Sequence, residues 1–378
     1  MDESELPANR LHRLRERITQ QSKLKLALKT IPSLFLIVVL WSISVALLAP
    51  GTDPVTARLA EWGRNHYLGS LITTAENLQY SLHKPKVGGS LDPSSKNLIN
   101  SYAANSATKI STIVTPALPG EGDLKTVISN HGQPAIQVAY IRPDIKHTSY
   151  LAGVAIMNAS QISFVQHPGF SEPGQLEQLK ASDSLAGGEL VNLAATFNSA
   201  FKIKDSQGGY YQNGVTVKPI VAGKASFVIY KDGRADIGIW GSELAMTPDV
   251  VSVRQNLSPL IDQGQLSESL VKNVFVNWGF TVKNSYYVWR SGVGVTANGD
   301  IVYAAGNALS VQSLAGVLKA AGAVRAMELD INQQWISYMW YPPTTTGKES
   351  PIKLVAFTRP ANRYLEASSR DFFAAYLK

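Results

Sequence analysis

Hydrophobic and polar residues follow three successive rhythms along this chain. The stretch Ile31-Pro32-Ser33-Leu34-Phe35-Leu36-Ile37-Val38-Val39-Leu40-Trp41-Ser42-Ile43-Ser44-Val45-Ala46-Leu47-Leu48-Ala49 carries no charge. At about 1.5 Å of rise per residue, a helix of this length covers a hydrocarbon core about 30 Å thick. From Pro54 to about His83, Leu59, Trp62, Leu68, Leu71, Ile72, Leu78 and Leu82 recur at mixed intervals of three and four. That spacing predicts one helix, a stalk or a packing element, with Thr52 or Asp53 as its cap. Between Lys84 and Asp123, Gly, Pro, Ser and Asn cluster, which predicts loop or linker with one short strand around Ile110–Val114.

Farther on, strand-like runs take over. Ile136–Ile141 and Tyr150–Met157 read as strands. Ala225–Tyr230 and Ala235–Trp240 flank Lys231-Asp232-Gly233-Arg234, and Asp-Gly between alternating apolar runs suits a type I′ hairpin. The same logic returns at Gly292–Thr296, Asn298-Gly299 and Ile301–Ala305. Ser310 to Ala321 reads as a helix capped by Ser310 and closed by Gly322. A strand Val324–Ile331, a strand Ile352–Phe357 and a terminal helix containing Phe372, Phe373 and Tyr376 complete the chain. The expected fold is α+β, with mixed or antiparallel β-sheets and few helices, preceded by an N-terminal transmembrane helix. The expected organisation is a basic tail (1–30), the transmembrane helix (31–49), a helical stalk and linker (50–123) and one globular domain (124–378).

Charge sets the orientation of the apolar stretch. The formal charge of +7 is uneven, since residues 1–30 alone carry +3. Basic residues crowd the N-terminal flank, whereas Asp53, Arg58, Glu61 and Arg64 balance the other. The positive-inside bias therefore predicts a cytoplasmic tail and an extracytoplasmic remainder. A cleaved signal peptide is the rival, but its apolar core is usually about 7–15 residues with a short lead. The +4 left on residues 31–378 forms no basic stripe and no recognised binding motif, which argues against a nucleic-acid partner. Cysteine is absent, and this excludes disulfides, thiolate catalysis and Cys-based zinc sites.

Candidate chemistry gathers on the returning strand. Alternation puts Met327, Leu329 and Ile331 on one face and Glu328, Asp330 and Asn332 on the other. Two carboxylates and an amide thus share one side of a strand that runs out into a loop. A solvated outer face gives the same pattern. Arg290 precedes Ser291-Gly292-Val293-Gly294-Val295, and a permanently charged guanidinium there would suit a phosphodiester; a surface arginine would look no different. The six histidines lie far apart without ligand-like spacing, and no nucleophile elbow or phosphate-binding glycine loop occurs.

Taken in order, Phe197-Asn198-Ser199-Ala200-Phe201, Gly208-Gly209-Tyr210-Tyr211-Gln212-Asn213-Gly214, Trp289-Arg290-Ser291-Gly292-Val293-Gly294-Val295 and Met327-Glu328-Leu329-Asp330-Ile331-Asn332 resemble the phosphodiester glycosidase domain family. The founding animal member of that family removes N-acetylglucosamine from a sugar 1-phosphodiester. The Leu-Asp-Ile-Asn reading followed by Trp335 resembles a bacterial, membrane-anchored branch. The usual family pattern has three glycines after the aspartate, where this chain has Ile331-Asn332-Gln333. A glycine run lets successive N–H groups converge on an anion, a nest that Ile331 cannot form cheaply.

The resemblance implies an extracytoplasmic hydrolase acting on a sugar-1-phosphodiester in an envelope or exopolysaccharide glycan. It implies Asp330 as base or nucleophile, Arg290 as the cation on the departing phosphate, and Glu328 as auxiliary acid. Asn198, Lys202, Asp205, Tyr210, Asn332 and Trp335 would border the substrate, and Val253–Leu257 would pack or anchor a loop, with Arg254 a lesser candidate for the pocket. No cofactor is required; a calcium ion on Asp330 or Asp205 is compatible by analogy, without a supporting loop motif. The replaced glycines favour the alternative, a non-catalytic membrane-anchored module that binds phosphate-bearing glycans.

Overall fold

The computed structural model describes residues 6–82, 85–101, 108–271, 287–343 and 350–378. Residues 1–5 of the expected tail and His83 of the expected stalk lie outside these. By contacts the chain forms two units: Met1–Ala49 with Pro54–Gly69, and Pro50–Asp53 with Ser70–Lys378.

In the first unit, a helix runs from Leu6 to Leu47, and its Thr30–Leu47 portion is long and apolar enough to cross a membrane. A second helix, Val55–Asn65, places the Trp62 indole N–H on Ser42 Oγ at 2.9 Å. The single helix expected from Pro54 to His83 is instead broken. Helix Val55–Asn65 ends where Tyr67 takes a φ of +65°, and a separate helix spans Gly69–Leu82. Three- and four-residue spacing continues through the break, so the apolar pattern alone hides it. Asp53, itself part of the second unit, caps no helix; its carboxylate accepts from Arg359 and Ser369 of that same unit.

The second unit begins earlier in the sequence than its composition suggests. Within the Gly/Pro/Ser-rich stretch, Pro93–Asn100 is a helix whose N-cap Asp92 accepts the N–H groups of Ser94 and Ser95 at 2.9 and 3.0 Å. Leu91 and Ile99 are buried in the main core. Around Ile110 there is no strand, only a bridge between Lys109 and Asp123.

An eight-stranded sheet organises the unit, in the order Lys125–Asn130, Gln133–Ile141, Ala152–Met157, Ile301–Leu309, Val288–Thr296, Ala323–Glu328, Pro259–Asp262 and Gln265–Leu266. Its strand pairs are antiparallel. One face is covered by helix Val311–Ala320, whose Leu314 and Leu318 pack with Val154, Val302, Ala304 and Ala326. The helix starts as expected, with Ser310 Oγ accepting the Ser313 N–H at 3.0 Å, and stops at Gly322 with φ +91°. Gly292 permits this close approach, since a Cβ there would lie 3.1 Å from Leu318 Cδ1 and 3.0 Å from the Met327 carbonyl.

The other face carries Val138, Tyr140, Val293, Tyr303 and Met327 into a core shared with two five-stranded sheets. One contains Ala225–Tyr230, Ala235–Ile239 and Val250–Gln255 and contributes Phe227, Ile229 and Ile237. The other contains Leu193–Asn198, Tyr338–Trp340, Phe372–Leu377 and Ile162–His167 and contributes Phe164, Phe197, Tyr338 and Phe373. Antiparallel sheets with few helices is the expected class.

The two predicted hairpins form, but neither through a type I′ turn. In the first, only Gly233 has a positive φ (+80°); its N–H donates to the Tyr230 carbonyl and the Tyr230 N–H to the Arg234 carbonyl. Gly299 (φ +88°) repeats this between Thr296 and Asp300. Each is a turn closed by one left-handed glycine. At the C-terminus, Phe372–Leu377 is a strand and not the expected helix, and the Ile352–Phe357 strand shrinks to Ile352–Lys353. Phe373 and Ala375 enter the main core, while Phe372 and Ala374 enter a second cluster. With both faces buried, the run is continuously apolar and imitates a helix.

Candidate functional site

The site grows from the end of the carboxylate strand. Glu328 is opposite Gly292 in the register, and the ladder continues one step past it. The Leu329 N–H donates to the Ser291 carbonyl (2.8 Å) and the Ser291 N–H to the Asp330 carbonyl (2.9 Å). Across the core, the C-terminal strand pairs Phe372 with Asn198, and the Ser199 N–H donates to the Asp371 carbonyl at 3.3 Å. Arg370 and Asp371 are thereby delivered beside Asn198-Ser199.

The two carboxylates of the strand have different partners. Glu328 Oε1 lies 2.5 Å from Arg290 Nη1, and Arg290 Nε donates to the Leu309 carbonyl at 3.1 Å. Both side chains are buried. Burial pushes the Glu328 carboxyl up, and the Arg290 guanidinium pulls it down. Asp330 is also buried, but its Oδ1 accepts the Asn332 N–H at 2.9 Å and its Oδ2 is 3.7 Å from Arg370 Nη2. Burial pushes its carboxyl up to about 6, against Arg370 and the amides of Asn332 and Ile331; the charge of Asp205 adds to the rise. An acid poised so close to neutrality can gain or lose a proton during a reaction.

The remaining candidates fall into two groups. Asn198 is spent on the framework. Its Nδ2 donates to Ser291 Oγ (3.1 Å) and the Ser199 carbonyl (2.9 Å), and its Oδ1 accepts from Tyr303 OH (2.9 Å) and the Ser337 N–H (3.1 Å). Tyr210 is buried with its hydroxyl on Gln212 at 2.7 Å. Lys202 starts a short helical turn, Ile203–Ser206, that carries Asp205 at the surface. Asn332 closes the loop after Asp330, its Oδ1 accepting the Gln334 N–H at 2.9 Å. Trp335 is buried rather than presented as an open stacking platform.

None of Ile331, Asn332 and Gln333 has a positive φ, so the loop makes no glycine-type nest. Its amides serve the Asp330 carboxylate instead. Among the described residues no group of three or more metal-ligating side chains forms, so the calcium suggested by analogy gains no support here.

Of the cations that gather here, sequence reasoning weighed Arg254 only as a lesser candidate and missed Arg370. Arg370 Nη2 donates to the Ala200 carbonyl at 3.1 Å, and Arg254 Nε donates to Asp371 Oδ2 at 2.7 Å, with Arg254 Nη2 on the Phe201 carbonyl. Arg254 therefore ties the C-terminal strand to the loop after Asn198. Asp371 Oδ1 and Ser199 Oγ are buried without a hydrogen bond among the described residues. The available signal was the recurrence of Arg359, Arg363 and Arg370 within twelve residues that hold one acid, Glu366.

Residues 190–330 match the profile of the phosphodiester glycosidase family. No curated protein sequence matches the chain. Among solved structures, it is similar to a hypothetical protein from Synechocystis at 11% identity and a TM-score of 0.38, covering 66% of this chain and 63% of that one. It is also similar to a Burkholderia pseudomallei protein named as exported, at 11% identity and a TM-score of 0.28, covering 62% and 75%.

Proposed function

Starting from the phosphodiester glycosidase match over residues 190–330, we propose that this chain hydrolyses a glycosyl phosphodiester, sugar-1-O-PO2-O-R, at Asp330. The observation that carries the proposal is a buried carboxylate gripped by its own loop amides and faced by a guanidinium, its carboxyl pushed up to about 6 by burial. The reaction breaks the bond between C1 and oxygen. Water supplies hydroxide to C1 and its proton to Asp330, and the phosphate monoester leaves with the bonding pair. A phosphate monoester is weakly basic, so little protonation of the leaving oxygen is needed. Asp330 therefore acts as the base, or as nucleophile in a two-step variant.

The roles expected of Arg290 and Glu328 are reassigned in this proposal. Arg290 already holds Glu328, so Arg370 is the cation beside the leaving phosphate, and the Arg290–Glu328 pair positions the strand that ends in Asp330. Lys202 and Asp205 border the substrate from the loop after Ala200. The basic tail and the apolar helix support an extracytoplasmic site on a membrane-anchored chain, acting on envelope or exopolysaccharide glycans.

The test is turnover of a panel of sugar-1-phosphodiesters by the full chain in detergent micelles. Asp330→Asn is expected to abolish release of phosphate monoester. Undiminished turnover in that variant would reject the assignment. Glycan binding with no turnover by the native chain would favour the alternative, a non-catalytic module, for which the burial of Asp330 is the specific supporting observation.

A further inference from the structure

Trp335 is faced by three guanidiniums, with Arg370 at 5.2 Å, Arg359 at 5.8 Å and Arg363 at 5.9 Å from the ring centroid. All three arginines are buried. Arg359 is 3% exposed; its Nη2 reaches Thr52 Oγ1 at 3.1 Å and Asp53, but its Nε and Nη1 make no hydrogen bond within the described residues. Arg363 Nη1 donates to the Trp335 carbonyl (2.9 Å) and Ser337 Oγ (3.2 Å), and the side chain has no ion pair among the described residues.

A guanidinium is five donors that cannot be neutralised, so buried donors left unmade are costly and are rarely kept without a use. Arg359 and Arg363 also repel one another. Burial first, and that repulsion second, bring Arg359 down to about 10 against the pull of Asp53. Thr358, Pro360 and Asn362, their neighbours in the chain, are exposed. In the neighbouring loop the Asn332 and Ile331 amides turn inward onto Asp330. Arginine forks match the oxygens of a phosphoryl group in geometry and charge.

We propose that Arg359 and Arg363, packed on Trp335 beside the Asp330–Arg370 pair, form a second phosphoryl subsite, so that the substrate carries a further phosphate next to the scissile one, as in a pyrophosphate-linked sugar. This rests on the hydrolytic reading for its substrate, but not for its binding measurement.

The experiment is titration calorimetry on the full chain in detergent micelles, with inorganic pyrophosphate and orthophosphate as probes. Native protein should bind pyrophosphate more tightly than orthophosphate. Arg359→Gln and Arg363→Gln should each weaken pyrophosphate by about tenfold or more. Arg363→Lys should recover only part of this, because lysine restores charge without the fork. Asp330→Asn should leave pyrophosphate binding equal or tighter. Unchanged affinity in the folded glutamine variants overturns the proposal, as does failure of the native chain to bind pyrophosphate. Should the glutamine variants not fold, Arg359→Lys and Arg363→Lys decide it, unaltered affinity in both being fatal.

Turnover separates the two readings. With the subsite present, the KM for UDP-N-acetylglucosamine rises in Arg363→Gln, while that for the methyl phosphodiester of N-acetylglucosamine 1-phosphate does not. Pyrophosphate binding without any hydrolysis sinks the enzyme reading alone. Hydrolysis with both KM values unmoved sinks only the subsite.

Discussion

Glu328 and Asp330 sit two residues apart on one strand, both buried, each beside an arginine, yet they are set for different work. Glu328 has Arg290 at 2.5 Å, and both side chains are buried. The carboxylate and guanidinium of that pair neutralise one another at contact distance, which removes both from any chemistry with an external ligand. Asp330 has Arg370 at 3.7 Å, a looser approach, together with a backbone amide and a nearby aspartate that works against ionisation. Burial is common to both residues and does not tell them apart. The difference lies in how closely the opposite charge occupies the carboxylate.

The largest expected effect of breaking this contrast is on catalysis. Asp330→Asn keeps the size and most hydrogen bonds of the side chain while removing its proton chemistry, and turnover should fall by about a thousandfold or more. In the native chain kcat/KM should rise with pH up to about 6 and then level off, because the base must be ionised. A limb that falls with rising pH through the same region would make Asp330 an acid instead.

Next in size is the sealed pair. Arg290→Met leaves a buried carboxylate without its counter-charge and should cost about 3–5 kcal/mol in urea unfolding. Arg290→Met combined with Glu328→Leu should recover most of that loss. If Arg290→Met kept full stability and lost turnover, the contrast would be reversed and Arg290 would belong to the chemistry.

The sequence shows one side of this contrast far better than the other. Period-two alternation placed Glu328, Asp330 and Asn332 together, and turn chemistry located both hairpins and the helix over Val311–Ala320. Partner choice is not a local property. Arg290 meets Glu328 because the register sets Gly292 opposite Glu328 and the glycine admits the covering helix. Arg370 meets Asp330 only after the C-terminal strand pairs with Leu193–Asn198, a contact spanning most of the second unit. That strand buries both faces, so its residues carry no alternation from which the pairing could be read. The helix Pro93–Asn100 was hidden for the opposite reason: its cap and polar residues look like loop until Leu91 and Ile99 are seen in the core.

Stability should register the same contrast at smaller amplitude. The Asp330 carboxyl is raised from 3.8 to about 6 on folding, so between these values the folded chain binds more protons than the unfolded one. Its contribution is therefore fully present below pH 4 and is lost as pH rises through 6. Two units correspond to about 3 kcal/mol as an upper figure. Asp330→Asn should accordingly be more stable than the native chain at pH 8 and equal to it near pH 4, by thermal melting across the range. Equal melting temperatures at pH 8 would mean that the native carboxylate is stabilised as an ion.

The smallest effect probes how the loop tunes Asp330 while leaving Glu328 alone. Asn332 Oδ1 accepts the Gln334 N–H, and this holds the loop whose Asn332 amide donates to Asp330 Oδ1. Asn332→Ala should loosen that loop and lengthen the amide bond, removing part of what lowers the Asp330 carboxyl. Its titration should then move upward by about half a unit, carrying the acid limb of kcat/KM to higher pH with it. The plateau above the limb should hardly change, because Asn332 itself contributes no proton. Urea stability at pH 4, where the Asp330 carboxyl is neutral, should fall by no more than about 1 kcal/mol. A limb that stays in place would show that burial and Arg370 alone set the Asp330 carboxyl, and that the residues standing where the family has glycines are packing rather than tuning.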